Sequence, residues 1–354
     1  MDPFTRLPPE LIAQIFVYTA DFPAVENILS ASCHVNAAFQ AEPTIICNLI
    51  LSDSITSLPE IQRLCYNISL IQTHSIRFPT LVDYQQRCEK MPPVKYTQEL
   101  LIFILHLAAQ TQRLACTCLS LIQQNFVSAL SGVPAGDIPA SQEYRLYSSL
   151  WHLQHYSCLR EAATRRWNWD ETSMNGLNAY NDWNDTDYDR AEKIWTTATL
   201  LSDLGLRPIY GYYPFQQWAR LLAQDPEDDT PLPFFDFKSF DLSTGTTRSS
   251  EIWTPPPPPP ATESRPWLPK HLRISQHQSG AASRGREPAS NPSVAFKQWR
   301  RLGVTIWDGW RMAGEAMPNP DGTCLARIPV VDYMSRWLAL IGEKLPHAFR
   351  RGWR

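Results

Sequence analysis

Leu7-Pro8-Pro9-Glu10-Leu11-Ile12-Ala13-Gln14-Ile15-Phe16 is the stretch that decides how this chain of 354 residues is read. Two prolines ahead of an apolar run make a strong helix start. A proline at the first helical position has its φ preset and gives up an N–H that would have had no partner there. Glu10 falls in the first turn, where the helix dipole favours an anion. Leu11, Ile15 and Phe16 follow at i, i+4 and i+5 and make a narrow apolar stripe. Leu7, just outside, is placed to fold back on Ile12 as a hydrophobic staple. A helix this short cannot bury such a stripe alone, so it needs a partner in this chain or in another.

Downstream, Asp21-Phe22-Pro23 breaks the helix. Val25, Ile28, Leu29 and Ser32 have the spacing of a second short helix, and a third segment holds Ala37, Ala38 and Phe39 before Pro43. The three segments together resemble the F-box, a helical module of about 40 residues opening Leu-Pro-x-Glu-Leu/Ile-x-x-x-Ile-Phe. Leu7, Pro8, Glu10, Leu11, Ile15 and Phe16 match that first block. Val25, Ile28, Leu29 and Ser32 match the second block, and Phe39 takes the downstream aromatic place. The chain departs from the pattern at Ala24, where Asp is usual, at Tyr18, where Leu is usual, and in having no Trp after the serine.

What the resemblance implies is a non-catalytic adaptor. The module would dock on the adaptor subunit of an SCF-type cullin-RING ubiquitin ligase, and the rest of the chain would bring a target protein for ubiquitination. Leu7, Pro8, Leu11, Ile15, Phe16, Ile28 and Leu29 are the apolar anchors expected at that interface. The departures at Tyr18 and Ala24 keep a second reading open, an interaction scaffold with an F-box-like module outside any ligase. The helix expected at 141–167 and the Trp-Asp segment at 307–311 also look similar to parts of a large group of fungal F-box proteins, whose helical C-terminal regions have no assigned activity.

Composition sets the wider bounds. Apolar residues make up 44 % and charged residues 19 %, a globular balance, and the length suffices for two domains. Met1-Asp2-Pro3-Phe4 has no basic lead into an apolar segment, so no secretory signal is expected. The eight cysteines show no framework spacing and read as reduced, buried thiols of a cytoplasmic or nuclear protein. Leu100–Ala109 is apolar for only ten residues and reads as a core helix, about half the length of a membrane span.

The net charge of −3 conceals an asymmetry. Residues 265–354 hold 15 Lys/Arg against 6 Asp/Glu and six tryptophans, while residues 1–264 hold 17 against 29. A basic, Trp-rich end suggests nucleic-acid binding. The scattered charges and helical Trp spacing favour internal packing over it.

Hydrophobic periodicity predicts a mainly α chain, with no strand pattern of useful length. Short helices are expected over 44–96, punctuated by Pro59, Pro79 and Pro92-Pro93. Over 97–130 one long or two consecutive helices are expected, interrupted near 110–112. Ser141 is expected to cap a helix running to about Trp167. A polar loop over 168–186, a helix from Asp187 to Leu204 ending at Gly205, and a helix after Pro214 complete this part. Residues 242–293, with the run Pro255–Pro260, read as an extended linker, a stiff tether before an SH3 or WW ligand. The expected organisation is therefore an F-box over 1–43, a helical domain over 44–241, a disordered linker over 242–293 and a helical segment over 294–354. No period of 20–50 residues indicates a repeat receptor.

A search for catalytic groups yields little. There is no phosphate loop, nucleophile elbow or His-Glu-x-x-His. Cys116-x-Cys118 lacks the usual zinc spacing, and His152-x-x-His155 sits among Trp151, Leu153 and Tyr156, an aromatic packing face. Asp225-x-Glu227-Asp228-Asp229 lacks the glycine and distal Glu of a calcium loop. The expectation is no enzyme activity, no metal and no cofactor.

Overall fold

The computed structural model describes residues 2–19, 22–53, 59–90, 97–129, 140–178, 188–204, 208–213, 232–235, 303 and 306. These are mainly helical. The expected linker, the helix after Pro214, the loop over 132–139, the acidic cluster at 225–229 and nearly all of the basic tail lie outside them. The chain divides into two compact units.

The first unit includes residues 1–120 and 143–177. A 3₁₀ turn, Pro3–Arg6, leads into α1 (Pro9–Thr19). Pro9 takes the first helical position as expected, and the Pro8 carbonyl accepts from Leu11 N and Ile12 N at 3.1 and 3.2 Å. α2 (Phe22–Ala31), α3 (Cys33–Ala41) and α4 (Pro43–Asp53) follow in close succession. Ser32 caps α3, its Oγ accepting from Val35 N at 3.1 Å, as an N-cap serine should. The same hydroxyl donates to Asp2 Oδ2 at 2.5 Å, while Asp2 Oδ1 accepts from Phe4 N. One serine thus closes a helix start and ties the N-terminal turn to the α2–α3 corner. The core of these three helices is Ile12, Phe16, Phe22, Val25, Val35 and Phe39, all buried, with Phe16 and Phe39 edge to face at 5.7 Å.

α5 (Pro59–Gln72) is buried from Ile61 and then continuously from Leu64 to Ile71, so it runs through the middle of the unit. α6 (Leu81–Lys90) starts with a reciprocal cap: Thr80 N donates to Asp83 Oδ2 and Asp83 N to Thr80 Oγ1, both at 3.2 Å. α7 (Gln98–Ala129) runs unbroken for 32 residues. The break considered near 110–112 does not occur, because Thr111 and Gln112 are buried within the helix and the apolar stripe continues past them. The ten-residue run therefore lies in a helix whose segment Gln98–Gln124 is long and apolar enough to cross a membrane, and 72 % of that segment's most apolar window is buried inside the protein. A core helix meets the same description.

α8 (Ala140–Glu161) begins at Ala140, which places Ser141 inside the first turn and not at the cap. Leu146, Leu150, Leu153 and Tyr156 are buried, as their shared face predicts. The helix does not reach Trp167 in α form. It widens into a π-helical turn, Ala162–Trp167, closed by Asn168 in the left-handed region at φ 51°. Asn is among the few residues that accept that conformation readily. The turn is held by long-range bonds: Arg166 donates to Ile71 O, Arg77 to Trp167 O, and Trp169 Nε1 to Phe78 O at 2.7 Å. Phe78, Tyr84, Trp167 and Trp169 pack around it with neighbouring centroids 5.1–6.2 Å apart. Part of the expected polar loop is helical: Asp170 caps α9 (Glu171–Asn178) through Ser173 N at 2.8 Å.

The second unit includes described residues of 121–142, 178–236 and 260–354. Its α10 (Tyr188–Asp203) buries Ile194, Ala198, Leu200 and Leu201. A two-stranded antiparallel ladder, β1 (Pro208–Tyr213) with β2 (Leu232–Phe235), departs from the expectation of no strands. Proline, glycine and three tyrosines obscure any alternation in so short a run. Gly303, at φ 72°, sits where a Cβ would lie 3.1 Å from the Ile122 side chain, so its lack of a side chain is used there.

Candidate protein-docking surface

The residues expected at a partner interface separate by burial. Pro8 and Leu11 are exposed, Leu11 at 44 %, while Leu7, Ile15, Ile28 and Leu29 are half-buried. Phe16 is different. At 0 % exposed, with its ring against Phe39, it is a core residue and leaves the docking set. The reason is angular. Residues 12 and 16 lie one position on from 11 and 15, so they turn about 100° round the helix toward α3.

That rotation leaves Leu11, Ile15 and Tyr18, at i, i+4 and i+7, as an apolar stripe on the other flank of α1. Tyr18, a departure from the family pattern, is 83 % exposed. α4, which packs on α1, repeats the arrangement: Ile46 and Ile50 are buried, while Ile45 and Leu49 are 57 % and 42 % exposed. Of the five large hydrophobic residues exposed among those described, four therefore lie on this helix pair; the fifth, Val82, is on α6. Single exposed apolar residues are ordinary, and their concentration on two adjacent helices makes this pair the candidate docking surface. Sequence reasoning missed Ile45 and Leu49 because α4 follows Pro43, where the recognised pattern ends.

The polar frame of the module is stiff. The Ser32 hydroxyl, and next the Phe4 amide, hold the Asp2 carboxyl below its usual range. His34 Nε2 lies 3.3 Å from the Leu7 carbonyl, fixing the residue that opens the motif. On the side toward the rest of the unit, Glu26 of α2 receives His106 Nδ1 and Arg113 Nη1, both from α7.

Of the remaining candidates, the two histidines and the two cysteines lie among the described residues. His152 and His155, considered as a ligand pair, point to different partners. His152 Nε2 donates to Glu60 Oε1 at 3.1 Å, and His155 Nε2 shares a 2.6 Å hydrogen bond with the Tyr84 hydroxyl. Glu60 also accepts from Tyr144 OH at 2.8 Å; burial, and then Glu60, raise the Tyr144 phenol. Cys116 and Cys118 are both buried, and burial raises the Cys118 thiol. Among the described residues no three His, Cys, Asp or Glu side chains are grouped so that they could hold a metal ion.

Compared with known proteins, the chain matches no protein-family model, no curated protein and no solved structure.

Proposed function

We propose that this protein is a non-catalytic recruiting adaptor of an SCF-type cullin-RING ubiquitin ligase. Its N-terminal helices would dock on the ligase's adaptor subunit and its helical body would present a target protein. The mechanism is proximity: tethering raises the effective concentration of a target lysine near a ubiquitin-charged enzyme on another subunit. The observation that carries the reading is the split on α1, where Ile12 and Phe16 hold the module together while Leu11 and Tyr18 remain outside. An adaptor that must stay folded and still offer apolar anchors needs that division.

The test is co-purification of the ligase adaptor with the full chain. Leu7→Ala with Pro8→Ala, and separately Leu11→Asp with Tyr18→Ala, should each abolish it while far-UV circular dichroism stays unchanged. Retention of the adaptor by both double variants overturns the docking assignment. If the wild type never binds the adaptor, and the lifetime of its bound proteins does not depend on it, the scaffold reading stands in its place.

A further inference from the structure

The N-terminal module meets α7 through a charged contact that has no role in the docking surface. Glu26, on α2, has a side chain only 17 % exposed, and each of its carboxylate oxygens takes a separate cationic partner. Oε1 accepts from His106 Nδ1, and Oε2 accepts from Arg113 Nη1 at 2.5 Å. His106 and Arg113 stand seven residues apart, two turns along one face of α7. The contact therefore ties one point of α2 to two successive turns of α7. His106 is 58 % exposed, so it exchanges protons freely with solvent although its partner is sheltered.

We propose that Glu26, His106 and Arg113 form a proton-sensitive latch that fastens the N-terminal three-helix module to α7. The charged groups acting on His106 are Glu26 and Arg113, and those acting on Glu26 are His106 and Arg113. Among the elements packed on α2, α1 carries Glu10 and Tyr18, both exposed, and α3 carries exposed Cys33 and half-buried His34. His34 is directed to Leu7 and Asp2 instead.

The sign of the response follows. The Glu26 hydrogen bond raises His106 above its ordinary 6.5. Its contribution is therefore complete below pH 6.5 and is lost as pH rises through the folded value. Glu26 is held below its ordinary 4.5 by His106 and Arg113 against the opposing effect of burial. Its contribution is complete above pH 4.5 and is lost on further acidification through the folded value. Both arms are thus engaged between pH 4.5 and 6.5. As pH rises beyond that window and through the raised folded value of His106, the charge on the His106 arm disappears and the Arg113 arm remains. The latch loosens toward alkaline pH without opening fully.

Hydrogen exchange on the full-length chain, corrected for intrinsic rates, tests this at pH 6.0 and 8.5. In the wild type, protection of α2 should fall about two- to fivefold between the two, the range of a partly exposed ion pair. Amides of α5 and α8 serve as the reference and should not change. His106→Gln should make α2 protection the same at both pH values, close to the wild-type level at pH 8.5. Glu26→Gln should lower it at both and remove the pH response. A wild type with no response overturns the latch, as does a His106→Gln variant that keeps the full response. Should Glu26→Gln fail to fold, the result at His106, a mostly exposed position, still decides.

Discussion

Replacing Phe16 by alanine tests the division of α1 into a core flank and a docking flank. Phe16 is 0 % exposed and its ring meets Phe39 edge to face at 5.7 Å. Removing such a side chain deletes its transfer free energy and leaves a cavity, together about 3–5 kcal/mol. Of this, about 0.5–1.5 kcal/mol belongs to the aromatic pair and should appear as coupling in a double-mutant cycle with Phe39→Ala. Leu11→Ala, on the exposed flank, should cost no more than about 0.5 kcal/mol. A chain with two compact units is not expected to unfold in one step, so native-state hydrogen exchange of α1–α3 is the suitable assay. Phe16→Ala should speed exchange there about a hundredfold or up to the unprotected limit, since each 1.4 kcal/mol is about a factor of ten. Leu11→Ala should change it about twofold. If Phe16→Ala stays within threefold of wild type, or Leu11→Ala does equal damage, α1 does not present these two flanks in solution.

Two further outcomes follow from the interior. Tyr84→Phe removes the 2.6 Å bond to buried His155 and should cost about 1–3 kcal/mol, the price of stranding a buried polar group. Native-state hydrogen exchange of α6 and α8 should quicken correspondingly, and unchanged rates there would refute the pairing. Burial pushes the Cys47 and Cys65 thiols up to about 12, so at pH 8 they are protonated as well as shielded. Iodoacetamide at that pH should label exposed Cys33 long before either, read by peptide mass spectrometry. Equal labelling rates at Cys33 and Cys47 would contradict the burial.

Much of the helical layout was legible because it rests on local rules. Proline at a helix start and apolar spacings near 3.6 act within one or two turns, and the chain shows them in α1, α7 and α8, whereas Ser32, expected on the second helix, lies just beyond it and caps α3. Where reading failed, non-local packing had overruled local preference. Thr111 and Gln112 stay helical because the surrounding unit buries them. The π turn before Asn168 is kept by bonds from Arg166, Arg77 and Trp169 to segments some 90 residues away. A two-stranded ladder over Pro208–Tyr213 depends on a partner strand about 20 residues further on, which periodicity in either strand cannot reveal.

The candidate docking face divides the same way. That α1 exists, where it starts, and that it carries more apolar residues than one narrow contact needs can all be read from residue spacing, because helix geometry follows from spacing alone. Which of those residues turn inward depends on the helices that pack against α1. Phe16 went to the core since α3 supplied Phe39, and Ile45 and Leu49 joined the exposed face since α4 packed beside α1. The same holds for Glu26, a single acid in α2 by sequence, which gains His106 and Arg113 only when a helix 80 residues away is laid against it. Burial and charge pairing are properties of what comes to lie alongside a residue, and a linear pattern does not contain that.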